Sequence, residues 1–343
     1  MSAKEKKMTI KEIASIAGVS KGTVSRVIND IEGVGPKTRA RIKKLIKEYN
    51  YQPNAFARGL AEQKTRNIGI IIPHEPGYFL SNDYWPHLLS SISRYAVNSG
   101  YSILVSTTYA EGEIDSVYQS IFVGNKVDGL IIGTEIINEE QIKNLLKQDL
   151  PFIMIGKSPY FDNYYIDIDN YNATEKLTAH VIRQGYKKIL FIAGPTIYPN
   201  VKERIDGFYH AINRTAGCTG KVFSTAYDKP DMEFIKSEIT GGYKPDALIL
   251  GAGDFALKVL MLLKILKIVI PEDIGLASFD TLDFYDVFTP GITSIRQPVD
   301  DMGKTASSML FDRLLKIDLK PSYRILDCVL EIRESCNEPP AFP

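Results

Sequence analysis

The sequence predicts an α/β protein in two parts: a small all-α head, and a larger core of doubly wound parallel sheets in two lobes. Three observations carry this. Apolar residues recur at helical spacing over residues 9–49. From residue 67, short apolar runs bounded by Gly, Pro or Asp alternate with helix-length segments, the pattern of parallel sheets with right-handed crossovers. The charge is also divided. Residues 1–66 hold 15 Lys+Arg against 6 Asp+Glu, and the remainder offsets that excess to a net charge of zero. A basic head on an acidic body points to a polyanion partner for the head, with a plain solvated basic face as the alternative. A chain of 343 residues, 44% hydrophobic and 24% charged, suits two or three globular domains.

Other classes are disfavoured. No run of eighteen apolar residues offers a membrane span. The first residues, MSAKEKKMTI, have lysines with no apolar stretch behind them, so no signal peptide is expected. Cys218, Cys328 and Cys336 are odd in number and lack CxxC spacing, which argues against a disulfide framework and a zinc site and for a reduced, cytoplasmic protein. Four scattered histidines form no ligand cluster, so neither metal nor cofactor is expected.

The head is justified helix by helix. Thr9, with Glu12 three residues on, forms a capping box. Ile10, Ile13, Ala14 and Ala17 then make the stripe of a first helix, which Gly18 stops. Ser20 caps a second helix that buries Val24, Val27 and Ile28. Lys21, Gly22, Ser25, Arg26 and Asn29 are left on its other face. Pro36 opens a third helix with the stripe Ile42, Leu45, Ile46 and Tyr49. Three short helices with a tight Gly-containing turn make a helix-turn-helix, a generic three-helix bundle being the alternative. In a helix-turn-helix the second helix enters the DNA major groove, so the residues left over after packing face the bases.

The core is justified strand by strand. Apolar runs occur at 68–73, 102–108, 128–134, 152–157, 188–194, 246–252 and 274–280, with an edge-like run TSIRQP at 293–298. Helix-length segments such as YWPHLLSSISRYAVNSGY and ATEKLTAHVIRQGYKK separate them. There are more strands than one sheet needs, hence two lobes, and ligands bind beyond the carboxyl ends of such strands.

The stretch TIKEIASIAGVSKGTVSRVIND, followed by YQPNAFARGL, resembles the LacI/GalR family of bacterial transcription regulators. Every fixed position of the family's T-I-x-[DE]-[IV]-A-x-x-A-G-V-S-x-x-T-V-S-R-V-[IVL]-N pattern is met. The resemblance implies that Lys21 and Gly22 help choose the operator and that Arg26 contacts bases. It also implies that Thr23 and Ser25 lie near phosphates or bases. Thr9, Ser20 and Asn29 complete the expected DNA-facing set. One departure is Gly35 where the family caps its third helix with Ser or Thr. In the resembling hinge, Asn54 to Leu60 become helical only when two subunits meet on DNA, with Asn54, Ala57 and Leu60 as contacts and Leu60 wedged into the minor groove. Seven residues including Gly59 are too few for a stable isolated helix, and an inserted Leu unstacks a base step.

The resemblance extends through HVIRQGYKKILFIAGP, IPEDIGLASFD and ITSIRQP, and implies a periplasmic-binding-protein-like core that the chain crosses three times between lobes. A small molecule in the cleft then alters DNA affinity. In KERIDGF, Arg204 lands on the family's cleft arginine, and Asp280 on its effector-contacting aspartate. Arg donates several fixed hydrogen bonds and a carboxylate accepts from vicinal hydroxyls. Pairing of Arg204 with Asp206 or Glu203, or capping of the next helix by Asp280, are the alternatives. In GAGDFA, Asp254 is kept while the family's Asn is Gly253; Gly156-Lys157 replaces Asp-Arg after the fourth strand. A longer HEPGYFLSNDYWP brings Tyr84 and Trp85, the single tryptophan, to the cleft mouth, for ligand stacking or for core packing.

GAGDFA also fits a dinucleotide fingerprint, so a nicotinamide-dependent enzyme is a rival. The fingerprint lies too far along the chain, and its acid would be Asp273, in a loop. A transport binding protein is a second rival, but it would be exported and lack a helix-turn-helix. The expected organisation is therefore a helix-turn-helix at 1–52, a hinge helix and linker at 53–66, and a core at 67–338. Lobe 1 is expected at about 67–168 plus 298–320, and lobe 2 at about 169–297 plus 321–338. The expected function is that of a homodimeric, non-enzymatic, sequence-specific repressor of a carbohydrate-utilisation operon. It would bind a near-palindromic double-stranded DNA operator and answer to a sugar or sugar derivative.

Overall fold

The structure is a computed structural model that describes residues 8–28, 30–51, 64–72, 83–107, 121, 126–133 and 138–337. The chain forms two compact units, Met1–Thr65 and Arg66–Pro343.

The first unit contains α1 (Ile10–Ala17), α2 (Lys21–Ile28) and α3 (Pro36–Glu48). At the start of α1 both Thr9 N–H and Thr9 Oγ1 donate to Glu12, at 2.8 and 2.9 Å, and Glu12 N–H returns to Thr9 Oγ1 at 3.3 Å. At its end Gly18 takes the left-handed conformation (φ 61°), which costs glycine nothing. That turn lets Val19 N–H reach Ala14 O at 3.0 Å and folds Val19 onto the core. Ser20 Oγ then accepts from Thr23 N–H at 3.1 Å, starting α2. Ile13, Ala14, Ala17, Val24, Val27 and Ile42 are the buried centre. Ile28 is only half-buried, and Tyr49, expected on the α3 stripe, lies past the helix end and is exposed. Gly35 supplies no side-chain cap, and Pro36 at the first turn needs no N–H partner.

The second unit holds two six-stranded sheets. Lobe 1 comprises β1 (Asn67–Ile72), β2 (Ser102–Thr107), β3 (Gly129–Gly133), β4 (Phe152–Ile155), β5 (Tyr165–Ile168) and β11 (Tyr323–Leu326), in the order β11-β5-β4-β3-β1-β2. Lobe 2 comprises β6 (Lys188–Ala193), β7 (Thr219–Ser224), β8 (Ala247–Leu250), β9 (Gly275–Phe279), β10 (Thr293–Arg296) and β12 (Val329–Glu331), in the order β12-β10-β9-β8-β6-β7. All pairings are parallel except β12 against β10. Helices α4 (Tyr84–Asn98), α5 (Glu139–Lys147), α6 (Asn170–Arg183), α7 (Pro199–Asn213), α8 (Met232–Thr240), α9 (Ala256–Leu266) and α10 (Val299–Leu314) accompany the strands. Strands buried on both faces, such as β3, β4, β8 and β9, read as continuous apolar runs, as covered parallel strands must.

Two expectations are corrected. β10 is not an edge strand: it pairs with β9 on one side and β12 on the other. Lobe 2 does not resume at 321. β11 pairs with β5 from Tyr323↔Tyr165 to Leu326↔Ile168, so the chain returns to lobe 2 only between Leu326 and Val329. The other two crossings fall between β5 and α6 and between β10 and α10.

Candidate ligand cleft and nucleic-acid interface

On the helix-turn-helix, Lys21, Gly22 and Arg26 are exposed, while Thr23 and Ser25 are half-buried. Gly22 has open space around it; a Cβ there would meet only Ser20 Oγ, at 3.6 Å. The hydroxyls of Ser20 and Thr23 bond each other at 2.9 Å, and that of Thr9 donates to Glu12. Thr9 and Ser20 thus hold the helix starts, with the Thr23 hydroxyl bonded to Ser20. Asn29, Asn54, Ala57 and Leu60 lie outside the described residues.

Between the lobes of the core is a cavity of about 110 Å³. Its lining comes from the carboxyl ends of strands in both sheets: Gly133, Ile155 to Lys157 and Asp167 from lobe 1, and Ala252, Asp254, Asp280 and Gln297 from lobe 2. This is where open parallel sheets hold ligands. A 150 Å³ protein cavity holds one benzene ring, so this space is on the scale of one small ring.

Arg204 reaches the cavity from α7 for a packing reason. At Gly207, three residues on, a Cβ would lie 2.2 Å from Tyr171 O. Glycine there lets α7 close onto α6, and Arg204 Nε then donates to Asn170 Oδ1 at 2.9 Å, on the first residue of α6. Nη1 donates to Gly251 O at 2.8 Å, and the guanidinium lies 3.6 Å over the Phe279 ring. Neither expected alternative pairing, with Glu203 or Asp206, is made. Asn170 Nδ2 in turn donates to Asp167 Oδ1 at 3.2 Å, and Asp167 Oδ2 accepts from Lys157 N–H at 2.8 Å. A chain of hydrogen bonds therefore runs from β4 in lobe 1 through the first crossing to β8 in lobe 2.

Asp280 ends β9 with φ 93°, a conformation rare outside glycine. It caps no following helix. Instead it accepts from Gly253 N–H at 2.8 Å and from Gln297 Nε2 at the second crossing. A side chain at Gly253 would require Leu282 to shift, because a Cβ would lie 2.9 Å from Leu282 Cδ2. Burial pushes the carboxyls of Asp167 and Asp280 up from their ordinary range, and Arg204 pulls both back down. Burial also raises Glu203 on α7.

Tyr84, Trp85 and Tyr227 supply aromatic wall. Tyr84 and Trp85 meet edge to face at 5.6 Å, and Trp85, 6% exposed, also belongs to the core. Core packing of Trp85 is met, and the same side chain lines the cavity. The structure brings together all five expected cleft residues: Tyr84, Trp85, Arg204, Asp254 and Asp280. Sequence reasoning missed Asp167, Asn170, Tyr227 and Gln297. The IDIDN run around Asp167, with acids just past a short apolar segment, was the available signal.

The dinucleotide rival finds no support in the glycines. Gly251 packs its Cα face on Ile192 O and Gly253 on Leu282, and Asp273 accepts from Val269 N–H within its own loop. Among the described residues there is no group of side chains suited to a metal ion, and no helix is long and apolar enough to cross a membrane. Cys218, Cys328 and Cys336 are free.

Comparison with known proteins agrees at both ends. Residues 9–54 match the family of bacterial regulatory proteins, lacI family, and residues 178–336 match a periplasmic binding protein-like domain. The HTH-type transcriptional regulator KdgR of Bacillus subtilis (strain 168) is 30% identical over 313 residues, spanning 89% of this chain and 91% of its own. The lac repressor dimer bound to operator and the anti-inducer ONPF shares the fold with a TM-score of 0.85, over 97% of this chain and 100% of that one, at 21% identity. The transcriptional regulator CelR–cellobiose complex shares it with a TM-score of 0.73, over 96% and 100%, at 24% identity.

Proposed function

This chain belongs to the lacI family of bacterial regulatory proteins and is a DNA-binding transcriptional regulator, and from that premise we propose a homodimeric repressor of a carbohydrate-utilisation operon, governed by a sugar or sugar derivative in the interlobe cleft. The carrying observation is that one chain joins a basic helix-turn-helix to a cleft that presents Arg204 from α7 and Asp280 just past the carboxyl end of β9. Lys21 and Arg26 read base edges or phosphates, because packing leaves them outward on α2. Gly22 contributes no side chain, so specificity leans on its two basic neighbours and on DNA shape. Asn29 and the hinge residues Asn54, Ala57 and Leu60 complete the contact in this reading.

The effector reading draws on chemistry. A ring bearing vicinal hydroxyls accepts from Arg204, donates to Asp280, Asp254 and Asp167, and lies against Tyr84, Trp85 or Tyr227. The cellobiose of the CelR complex belongs to that ligand class. The cleft binds and does not transform its ligand, since the relatives are regulators.

A second copy of this chain is the favoured partner. Leu257, Met261 and Ile265 recur every fourth residue on α9 and are 61, 57 and 73% exposed. Such a stripe is what a two-fold interface covers. Two subunits present two recognition helices, so in vitro selection from random duplexes with the full chain should return an inverted repeat. Selected sequences without an inverted repeat would overturn the dimeric reading.

A further inference from the structure

We propose that the cleft takes a polyhydroxylated ligand that carries neither phosphate nor carboxylate, an inference that rests on reading the cleft as the effector site. Arg204 is the group an anion would seek. It is 6% exposed, lines the cavity, and has no ion pair and no partner for Nη2 among the described residues. Its charge is nevertheless already met. Asp167 and Asp280 flank it and both feel its field. Neither carboxylate forms an ion pair among the described residues. Each is held by neutral donors, Asp167 by Lys157 N–H, Ile168 N–H and Asn170, Asp280 by Gly253 N–H and Gln297. Lone pairs remain on both for hydroxyl donors.

Among the described residues of the lining, Asp254 adds a third carboxylate and Lys157 one further cation, its ammonium 4.0 Å from Asp162. The approach is acidic too. The outer groove, about 1140 Å³, adds Asp83, Asp228 and Asp283. Among the described lining residues Arg296 is ion-paired with Glu331, and Lys258, which donates to the carbonyl of Asp228 at 2.6 Å, is the one cation set against these carboxylates. Asp300 and Asp301 at the rim are offset by Arg94 and Lys304 and do not enter the balance. A phosphate or carboxylate would cross a negative mouth and then meet carboxylate acceptors, whereas a neutral polyol gives Asp167 and Asp280 donors and Arg204 Nη2 an acceptor.

The test is calorimetry on the full chain with a panel of mono- and disaccharides, each as the neutral parent, the sugar phosphate and the sugar acid. The expected result is that any binding sugar binds as the neutral parent, with its phosphate and acid forms at least tenfold weaker. An acid or phosphate form binding as tightly as its parent would overturn the proposal. A parallel thermal-shift arm compares inorganic phosphate with chloride at matched ionic strength. Equal Tm values are expected, and a phosphate-specific rise would overturn the charge argument alone. Silence from the whole panel would instead overturn the sugar reading, and this inference with it.

Discussion

In the proposed reading Arg26 serves the DNA contact and Asp280 the ligand contact, and each makes a prediction at the scale of one side chain. Arg26 is exposed on α2 and Val24 and Val27 beside it are buried, so truncation removes DNA contacts without opening the core. Arg26→Ala should cost about 1–3 kcal/mol on the selected operator, read by fluorescence anisotropy; unchanged affinity would displace Arg26 from the interface. In that reading Asp280 accepts most strongly from ligand hydroxyls when ionised. Burial raises its pKa while Arg204, Gly253 and Gln297 lower it, and the net direction is up. Effector affinity should therefore fall on acidification, at a pH above the ordinary carboxylate range. Asp280→Asn should bind weakly and lose that pH dependence. The same raised pKa gives folding a contribution that is present below the unfolded-state pKa and lost as pH rises through the folded one. Arg204 and Asp280 were legible because short motifs, KERIDGF and ASFD, fix them. Asn170 and Gln297 were not, since an amide at a crossing matters only through partners distant in sequence.

At the scale of elements, α2 shows local chemistry giving way to function. Gly22 sits in a helix and has room for a Cβ. Gly22→Ala should raise the thermal stability of the N-terminal unit by up to about 1 kcal/mol while altering operator preference in a fresh selection; loss of stability would show that the glycine serves packing. The capped helices α1 and α2 were readable because their signals are local: Thr9 with Glu12, Gly18, and Ser20. The strands divide for a physical reason. Those buried on both faces announced themselves as apolar runs. β7, β11 and β12 lie at sheet edges, mix exposed with covered positions, and gave no such run, whereas the edge strand β2, equally mixed, was legible because ILV keeps three apolar residues together. β5 is buried but only four residues long, with Asp167 breaking its apolar character. Missing β11 is what displaced the third crossing.

At the scale of the molecule, two expectations concern assembly and coupling. Met261→Glu places a charge in the middle of the exposed α9 stripe, where a monomer loses little and a dimer buries it unpaired. Sedimentation should show a dimer for the parent chain and a monomer for the variant, with operator affinity falling together with dimer content; a dimeric variant would move the interface elsewhere. Regulation requires that the effector bind DNA-competent and incompetent states differently. The hydrogen-bond chain Lys157–Asp167–Asn170–Arg204–Gly251 spans the two lobes, so a ligand at Arg204 touches the group that links them. The most direct measurement is operator affinity of the full chain and of Arg204→Ala, each with and without the binding sugar. The account predicts a change of about 5- to 150-fold in the parent chain and none in the variant. An equal response in both proteins would contradict it.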